Sequence, residues 1–191
     1  TLMIVSTDIS KFKYINRIYG YESGDKLIQK LTKLFLSQDE CIAACRPYSD
    51  HVIGLFNLRG KTWPEYQMEW KMLQDTFVLD NKIDYSKASL HLNTGVYQFE
   101  DRTEAVTSAI DKANIARRSV KGNYSVPCAV YTRELQERKE GDARIIPLFD
   151  KALEDNNILV YFQPKVSVSE RCVVGAEALT RLLDEDGTII P

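Results

Sequence analysis

Apolar and polar positions divide the first two thirds of the chain into alternating strands and helices. An unbroken apolar run over residues 2–5 is typical of a buried strand, and apolar residues recur at helical spacing over 23–36. Two further strands are predicted over 41–46 and 51–58, and the residues between them, 47–50, fit a tight hairpin turn. The pattern therefore begins as strand, helix and β-hairpin.

Four more elements follow before residue 133. The pattern predicts, in order, a helix over 61–77, a strand over 88–99, a helix over 103–119 and a short strand over 127–131. The first of these helices carries the aromatic stripe Trp63, Tyr66 and Trp70, which we interpret as core, with a dimer face as the alternative. Strands that alternate with helices predict an α/β (α+β) sandwich in which helices flank a mixed central sheet.

The last third of the chain is organised differently. A charged helix over 133–142, containing Gly141, is predicted to be a linker, and Pro147 is predicted to open a new helix through 153. Two strands are then predicted over 158–168 and 172–183. We therefore predict three parts, namely a domain over 1–133, a helical linker over 134–146 and the beginning of a second domain over 147–191.

Charge and composition exclude several classes of function. The net charge of −2 is spread over interspersed acids and bases, so neither a nucleic-acid polymer nor a membrane surface is an expected partner. The basic pair Arg117 and Arg118 is interpreted as a solvated helix end. The four cysteines lack zinc-site spacing and are predicted to be buried free thiols. We expect a cytoplasmic piece of a longer protein, which is anchored to a membrane, if at all, by an upstream region.

The richest candidate chemistry lies just after the first strand. An acid such as Asp8 at a strand end, followed by a turn and a helix, can hold a hard cation beside backbone amides that face phosphate. Asn16 and Asp25 can read a base edge, because an amide donates and accepts while a carboxylate accepts from ring N–H groups. These residues suggest a purine nucleotide with a metal. The alternative is that Asp8 caps its turn and that Asn16 and Asp25 are helix-terminal residues.

Two blocks of the sequence resemble known families of bacterial cyclic-di-GMP signalling. The opening block resembles that of GGDEF domains, the diguanylate cyclases, through Asp8, Phe12, Lys13, Ile15, Asn16, Gly20, Gly24, Asp25 and Leu27. A second block, over residues 161–164 and 175–181, resembles the start of an EAL domain, the cyclic-di-GMP phosphodiesterase. The resemblance implies a nucleotide-cyclase, ferredoxin-like fold for the first domain and a truncated (β/α) barrel after it.

The GGDEF resemblance assigns expected roles to individual residues. It implies that Asp8, the carbonyl of Ile9 and Asp50 hold Mg²⁺. It implies that Asn16 and Asp25 recognise the guanine of GTP or a related purine nucleotide. The further nucleotide contacts that it implies are Phe12, Lys13 and Arg118.

The signature hairpin departs from the family. Tyr48, Ser49, Asp50, His51 and Val52 stand where the family has Gly-Gly-Asp/Glu-Glu-Phe. The glycines of the signature let phosphate approach the backbone, and His51 removes the carboxylate associated with catalysis. We therefore predict that no catalytic set is intact in this loop. An ordinary turn aspartate is the alternative for Asp50.

The EAL resemblance implies that Glu177 is a ligand for Mg²⁺ or Mn²⁺ and that Gln163 and Arg181 contact cyclic-di-GMP in a complete domain. A barrel cannot close on its first strands, so this piece alone is not expected to hydrolyse anything. The leading hypothesis is a GTP-binding regulatory module for an EAL phosphodiesterase. The alternatives are a structural or homodimerising domain without nucleotide, and a residual cyclase acting on two GTP molecules.

Overall fold

The computed structural model describes residues 1–101, 103–123, 125–126, 128–183 and 187–190, without the side chains of 142–147 and 190. The chain forms two compact units, Thr1–Gln136 and Glu137–Pro191.

A five-stranded mixed sheet forms the centre of the first unit. Its strands are β1 (Leu2–Ile9), β2 (Cys41–Cys45), β3 (Val52–Asn57), β4 (Leu92–Gln98) and β5 (Cys128–Val130), in the order β2-β3-β1-β4-β5. Neighbouring strands are antiparallel except β4 and β5, which are parallel. The helices are α1 (Phe12–Tyr19), α2 (Tyr21–Leu36), α3 (Trp63–Asn81) and α4 (Val106–Ser119).

The two faces of this sheet carry different cores, because successive side chains of a strand point to opposite faces. On one face, Met3 and Val5 of β1 pack in a large cluster with apolar residues of α1, α2 and α3. On the other face, Ile4 belongs to a smaller cluster that includes Ala109 and Ala113 of α4. Since Ser6 and Asp8 alternate in step with Ile4, β1 presents polar side chains toward α4.

The structure confirms the predicted mixed α/β architecture and most element positions. The strand predicted over 2–5 extends to Ile9, and a separate helix α1 precedes the predicted helix. Tyr66 and Trp70 of the aromatic stripe are buried, with Trp63 packed against their cluster, so the stripe is core, and the dimer-face interpretation of these residues is wrong. The last strand of the unit is described from Cys128, and Pro127 lies outside the described residues.

The predicted break after residue 142 is not observed. Helix α5 runs without interruption over Arg133–Glu154, through Gly141 and Pro147, where two helices were expected. A glycine within a helix lowers its stability by only about 1 kcal/mol, so it does not by itself end one. The domain boundaries drawn from that break remain a prediction.

The second unit contains a three-stranded antiparallel sheet. Strands β6 (Ile158–Ser167) and β7 (Cys172–Leu183) form a long hairpin, and β8 (Ile189–Ile190) pairs with the end of β7. Both hairpin strands were predicted. The prediction that the cysteines are buried is wrong for Cys45 and Cys172, which are exposed, while all four are free thiols and Cys128 is buried.

No helix among the described residues is both long enough and apolar enough to cross a membrane.

Candidate functional site

Asp8, the predicted metal ligand, is buried in a closed polar cluster. Asp8 is only 5% exposed, and its two carboxylate oxygens have different partners. Oδ1 accepts a hydrogen bond of 2.6 Å from Asn93 Nδ2, and Oδ2 forms an ion pair with Nη1 of Arg117. Asn93 also hydrogen-bonds with the hydroxyl of Ser10. The carboxylate is therefore neutralised by a side chain of the same domain.

Helix α4 delivers Arg117 to this cluster. Arg117 follows Ala109 and Ala113 at four-residue intervals on the buried side of the helix and is only 4% exposed. Its Nε donates to Asn114 Oδ1 at 3.3 Å, and the same oxygen accepts from Ser6 Oγ at 2.8 Å. The expectation of a solvated basic end is therefore wrong for Arg117. The sequence contained a signal for this, because the arginine continues the apolar stripe of the helix.

His51 faces the same carboxylate at a longer distance. Its Nε2 lies 3.8 Å from Asp8 Oδ2, and its Nδ1 is buried without a hydrogen-bond partner among the described residues. Burial lowers the pKa of His51 below its usual value, and the positive charge of Arg117 lowers it further. His51 is therefore neutral at pH 7, and the guanidinium supplies the positive charge beside Asp8.

The hairpin between β2 and β3 contains a left-handed backbone conformation that usually requires glycine, although no glycine is present there. Ser49 has φ of 47°, in the left-handed region that favours glycine. Asp50 accepts hydrogen bonds from the backbone N–H of Ile9 at 3.2 Å and from Ser49 Oγ at 3.0 Å. The Tyr48 ring lies 4.5 Å from the His51 ring, centroid to centroid, and Val52 is fully buried in the core. Aromatic side chains thus flank Ser49 and Asp50 on both sides in this hairpin.

The predicted guanine-reading residues lie at the beginning of α2 and on α1. Asp25 is about half exposed, and its Oδ1 accepts a hydrogen bond of 2.8 Å from Nη1 of Arg46. Asn16 Oδ1 is buried without a hydrogen-bond partner among the described residues. It packs so closely on Gly24 that a Cβ there would lie 1.9 Å from it. Only glycine at position 24 leaves room for the amide.

The other predicted nucleotide contacts occupy contrasting environments. Phe12 is 8% exposed and belongs to the large core cluster, whereas Lys13 and Arg118 are exposed. Arg118 therefore differs sharply from its neighbour Arg117. The exposed side chains of Lys13 and Arg118 are accessible to an anionic ligand, whereas Phe12 packs in the core under α1.

The residues around Asp8 do not fit a magnesium ion as they are arranged. Mg²⁺ requires oxygen ligands in near-octahedral geometry, and both carboxylate oxygens of Asp8 already have hydrogen-bond donors as partners. Both oxygens of Asp50 also accept hydrogen bonds. Among the described residues, no group of three or more His, Cys, Asp or Glu side chains is placed to hold a metal ion.

The predicted EAL residues share one face of the second unit's hairpin. Gln163 of β6 is directly opposite Glu177 of β7, and Arg181 lies four residues further along β7, opposite Leu159. Directly opposed residues of an antiparallel pair point to the same side, as do residues two or four apart in one strand. The register therefore places Gln163, Glu177 and Arg181 on the same face of the hairpin. Glu177 Oε2 lies 3.5 Å from Nζ of Lys165.

The fold of the first unit is that of a nucleotide-cyclase-like domain, and comparison with known proteins identifies the family. The family described as "Diguanylate cyclase, GGDEF domain" matches residues 1–125. The chain therefore belongs to the GGDEF family.

Full-length relatives extend well beyond this chain. It is 25% identical over 187 residues to the signaling protein YkoW of Bacillus subtilis (strain 168), covering 96% of this chain and 23% of YkoW. It is also 25% identical over 191 residues to the cyclic di-GMP phosphodiesterase PdeR of Escherichia coli (strain K12), covering 98% and 28%. The chain thus spans about a quarter of the length of these curated relatives.

Solved structures show the same fold. The active GGEEF domain of a diguanylate cyclase from Vibrio cholerae matches with a TM-score of 0.54 at 22% identity, over 69% of this chain and 83% of that one. The S helix-GGDEF-EAL region of Vibrio cholerae LapD, bound to c-di-GMP, matches with a TM-score of 0.57 at 14% identity, over 98% and 44%. At these identities the likeness concerns the fold alone.

Proposed function

We propose that the first unit is a GGDEF domain that binds a guanine nucleotide without cyclising it and regulates an EAL phosphodiesterase domain in the same protein. The observation that carries this proposal is the buried ion pair between Asp8 and Arg117. Phosphoryl transfer depends on a cation shared between the protein and the phosphate oxygens. Here the carboxylate that would hold the cation is neutralised from within the domain.

The hairpin supports the absence of cyclisation independently. Formation of cyclic-di-GMP needs a 3′-hydroxyl aligned with an α-phosphate, and most of the catalysis in such a reaction is positioning. Tyr48 is 55% exposed and places a ring where the family signature has glycine. His51 is neutral and close to Arg117, so it does not replace the missing carboxylate.

Guanine recognition is supported by the accessible carboxylate of Asp25 and by the amide of Asn16, which has no partner for its oxygen among the described residues. The Watson–Crick edge of guanine offers N–H donors to a carboxylate such as Asp25 and an acceptor to an amide N–H such as that of Asn16. The Asp25–Arg46 pair is largely exposed, and such pairs contribute at most about 1 kcal/mol. A guanine base can therefore replace Arg46 as the partner of Asp25 at small cost in free energy. Replacing Arg117 as the partner of Asp8 would cost much more, because that pair is buried.

Calorimetric titration of the full chain with GTP tests nucleotide binding. We expect saturable binding of GTP and weaker binding of ATP. Asp25→Ala should weaken GTP binding by about tenfold or more, since hydrogen bonds to a charged group contribute about 1.5–3 kcal/mol. Asp75→Ala is the matched control, because Asp75 is also exposed and paired with a basic side chain, Lys71. Absence of binding at millimolar GTP would contradict the proposal and favour a purely structural domain.

Incubation of concentrated protein with GTP and magnesium tests cyclisation. The expected result is unchanged GTP and no cyclic-di-GMP by chromatography. A product peak that grows with protein concentration would restore the cyclase hypothesis.

For the second unit, we propose that it begins an EAL domain that hydrolyses cyclic-di-GMP when complete. The support is the shared face of Gln163, Glu177 and Arg181. In the complete domain, Glu177 would be one ligand for Mg²⁺ or Mn²⁺, and the other two would contact the dinucleotide. Glu177→Gln in the longer protein should abolish hydrolysis, while Glu170→Gln, an exposed acid of the hairpin turn, should not. Equal loss in both variants, or no hydrolysis by the unchanged protein, would count against the assignment.

A further inference from the structure

The arrangement around Asp8 has the features of a site built for a positive charge. The Asp8 side chain is 7% exposed and that of Arg117 is 4% exposed, so water does little to stabilise either charge. A buried carboxylate requires a compensating charge and hydrogen bonds in order to stay ionised at acceptable cost. Arg117 provides the charge, and Asn93 provides a hydrogen bond to the other oxygen.

The backbone of the domain is shaped to bring the guanidinium to this point. Gly95 of β4 lies directly beneath α4, where a Cβ would stand 2.1 Å from the Ala113 carbonyl oxygen and 2.1 Å from the Arg117 nitrogen. The helix can approach the sheet this closely only because position 95 lacks a side chain. The side-chain oxygen of Asn114 accepts a hydrogen bond from Nε of Arg117 and another from the hydroxyl of Ser6, so it helps to orient the guanidinium.

The guanidinium and a divalent cation would compete for the same oxygen. A metal bound at Oδ2 of Asp8 would have to displace the guanidinium of Arg117 or stand beside its like charge in a site that is almost fully buried. Displacement would leave the arginine buried without its counter-ion, which is strongly unfavourable. The two arrangements are therefore mutually exclusive while Arg117 is present.

We propose that Arg117 is a built-in cation that takes the place of the divalent metal ion at Asp8 and makes the domain independent of metal. Replacement of the metal ion by Arg117 does not depend on whether the domain binds GTP, and it can be tested without nucleotide. Failure of one proposal is thus distinguishable from failure of the other.

Cation rescue tests this inference. Arg117→Met keeps much of the side-chain volume and removes the charge, so it should lower the thermal unfolding midpoint of the full chain. Millimolar MnCl₂, at constant ionic strength, should then raise the midpoint of the variant by about 3 °C or more, because a ligand that binds only the folded state stabilises it. The unchanged protein and the double variant Asp8→Asn/Arg117→Met should show no such rise.

Two results would overturn the inference. One is an equal Mn²⁺ response in the unchanged protein and in Arg117→Met; the other is a variant that folds but gains nothing from Mn²⁺. If Arg117→Met does not fold, the unchanged protein still decides the question through titration of Mn²⁺ monitored by electron paramagnetic resonance. Stoichiometric binding that Asp8→Asn removes would contradict a closed site, and absence of such binding is the expected result.

Discussion

At the scale of single residues, the two aspartates of the candidate site differ in the burial of the arginine that neutralises each of them. Asp8 is compensated by a buried arginine and Asp25 by an exposed one. Burial makes the first pair difficult to separate, whereas solvent makes the second pair easy to replace. The acid expected to bind a metal ion is therefore closed by its partner, whereas the acid expected to bind guanine can exchange its partner.

Breaking the buried pair from either side should be costly. Asp8→Asn and Arg117→Met each leave one buried charge without its partner, and each should lower the free energy of unfolding by about 3 kcal/mol. The double variant should lose much less than the sum of the two, because it leaves neither charge. Urea denaturation of the four proteins gives the coupling directly, and strictly additive losses would show that the two side chains do not interact.

A second polar cluster, which joins Glu104 to Tyr97 of β4 and to Lys112 of α4, should give the domain a measurable acid dependence. Hydrogen bonds from Lys112, Tyr97 and Ser108 lower the pKa of Glu104 to about 2. Because the folded-state pKa lies below the unfolded value, the stabilisation is complete above about pH 4.5 and is lost as the pH falls toward 2. Glu104→Gln should therefore destabilise the protein by about 1 kcal/mol at pH 7, after allowance for solvent screening, and progressively less below pH 4.5.

Urea denaturation of Glu104→Gln and the unchanged protein between pH 7 and pH 2 measures this effect. Glu22→Gln is a suitable control, since Glu22 is exposed and pairs with Lys26 one turn away. It should have little effect at any pH. A loss for Glu104→Gln that is constant over the whole range would rule out the ionised carboxylate as its cause.

At the scale of elements, hydrophobic patterning predicted most strands and most helices, because the helices have one apolar face and the strands carry continuous or alternating apolar residues. It failed where an element is defined by something other than that pattern. Helix α5 continues through Gly141 and Pro147, although local signals indicate a break. Arg117 was assigned to solvent because charge is usually exposed, and only the packing of α4 on the sheet shows that this side chain is covered.

The close contact between β4 and α4 depends on Gly95. Gly95→Ala would place a methyl group 2.1 Å from two backbone atoms of the helix, so the helix must move away from the sheet. We expect a loss of about 2–3 kcal/mol in the free energy of unfolding, as is typical of overpacking. Gly175→Ala is the matched control, because this strand glycine has nothing within 4 Å of its Cβ position. Similar effects of the two substitutions would show that the packing of α4 is not what requires glycine.

At the scale of the whole molecule, the chain covers only about a quarter of the length of its curated relatives, so the proposed regulatory role has to be tested in a longer protein. Nucleotide can influence a neighbouring domain only if it favours one conformation of the protein over another. We expect GTP to change the rate of cyclic-di-GMP hydrolysis by the longer protein. Asp25→Ala should remove this response and leave the rate without GTP unchanged.

Steady-state hydrolysis assays with and without GTP measure that response, with Asp75→Ala as the control that should retain it. Equal rates at all GTP concentrations in the unchanged protein would mean that binding, if present, is not coupled to catalysis. In that case the first unit contributes to architecture only.

Arg46 makes two contacts that are not independent. Its Nη1 is bound to Asp25, and its Nε donates to the Ser49 carbonyl at 2.6 Å, so one side chain ties the start of α2 to the hairpin tip. A base that occupies Asp25 must therefore loosen one end of this tether. Under the proposed nucleotide binding, the hairpin tip would then be held less tightly to α2, so its conformation would depend on whether a base occupies Asp25.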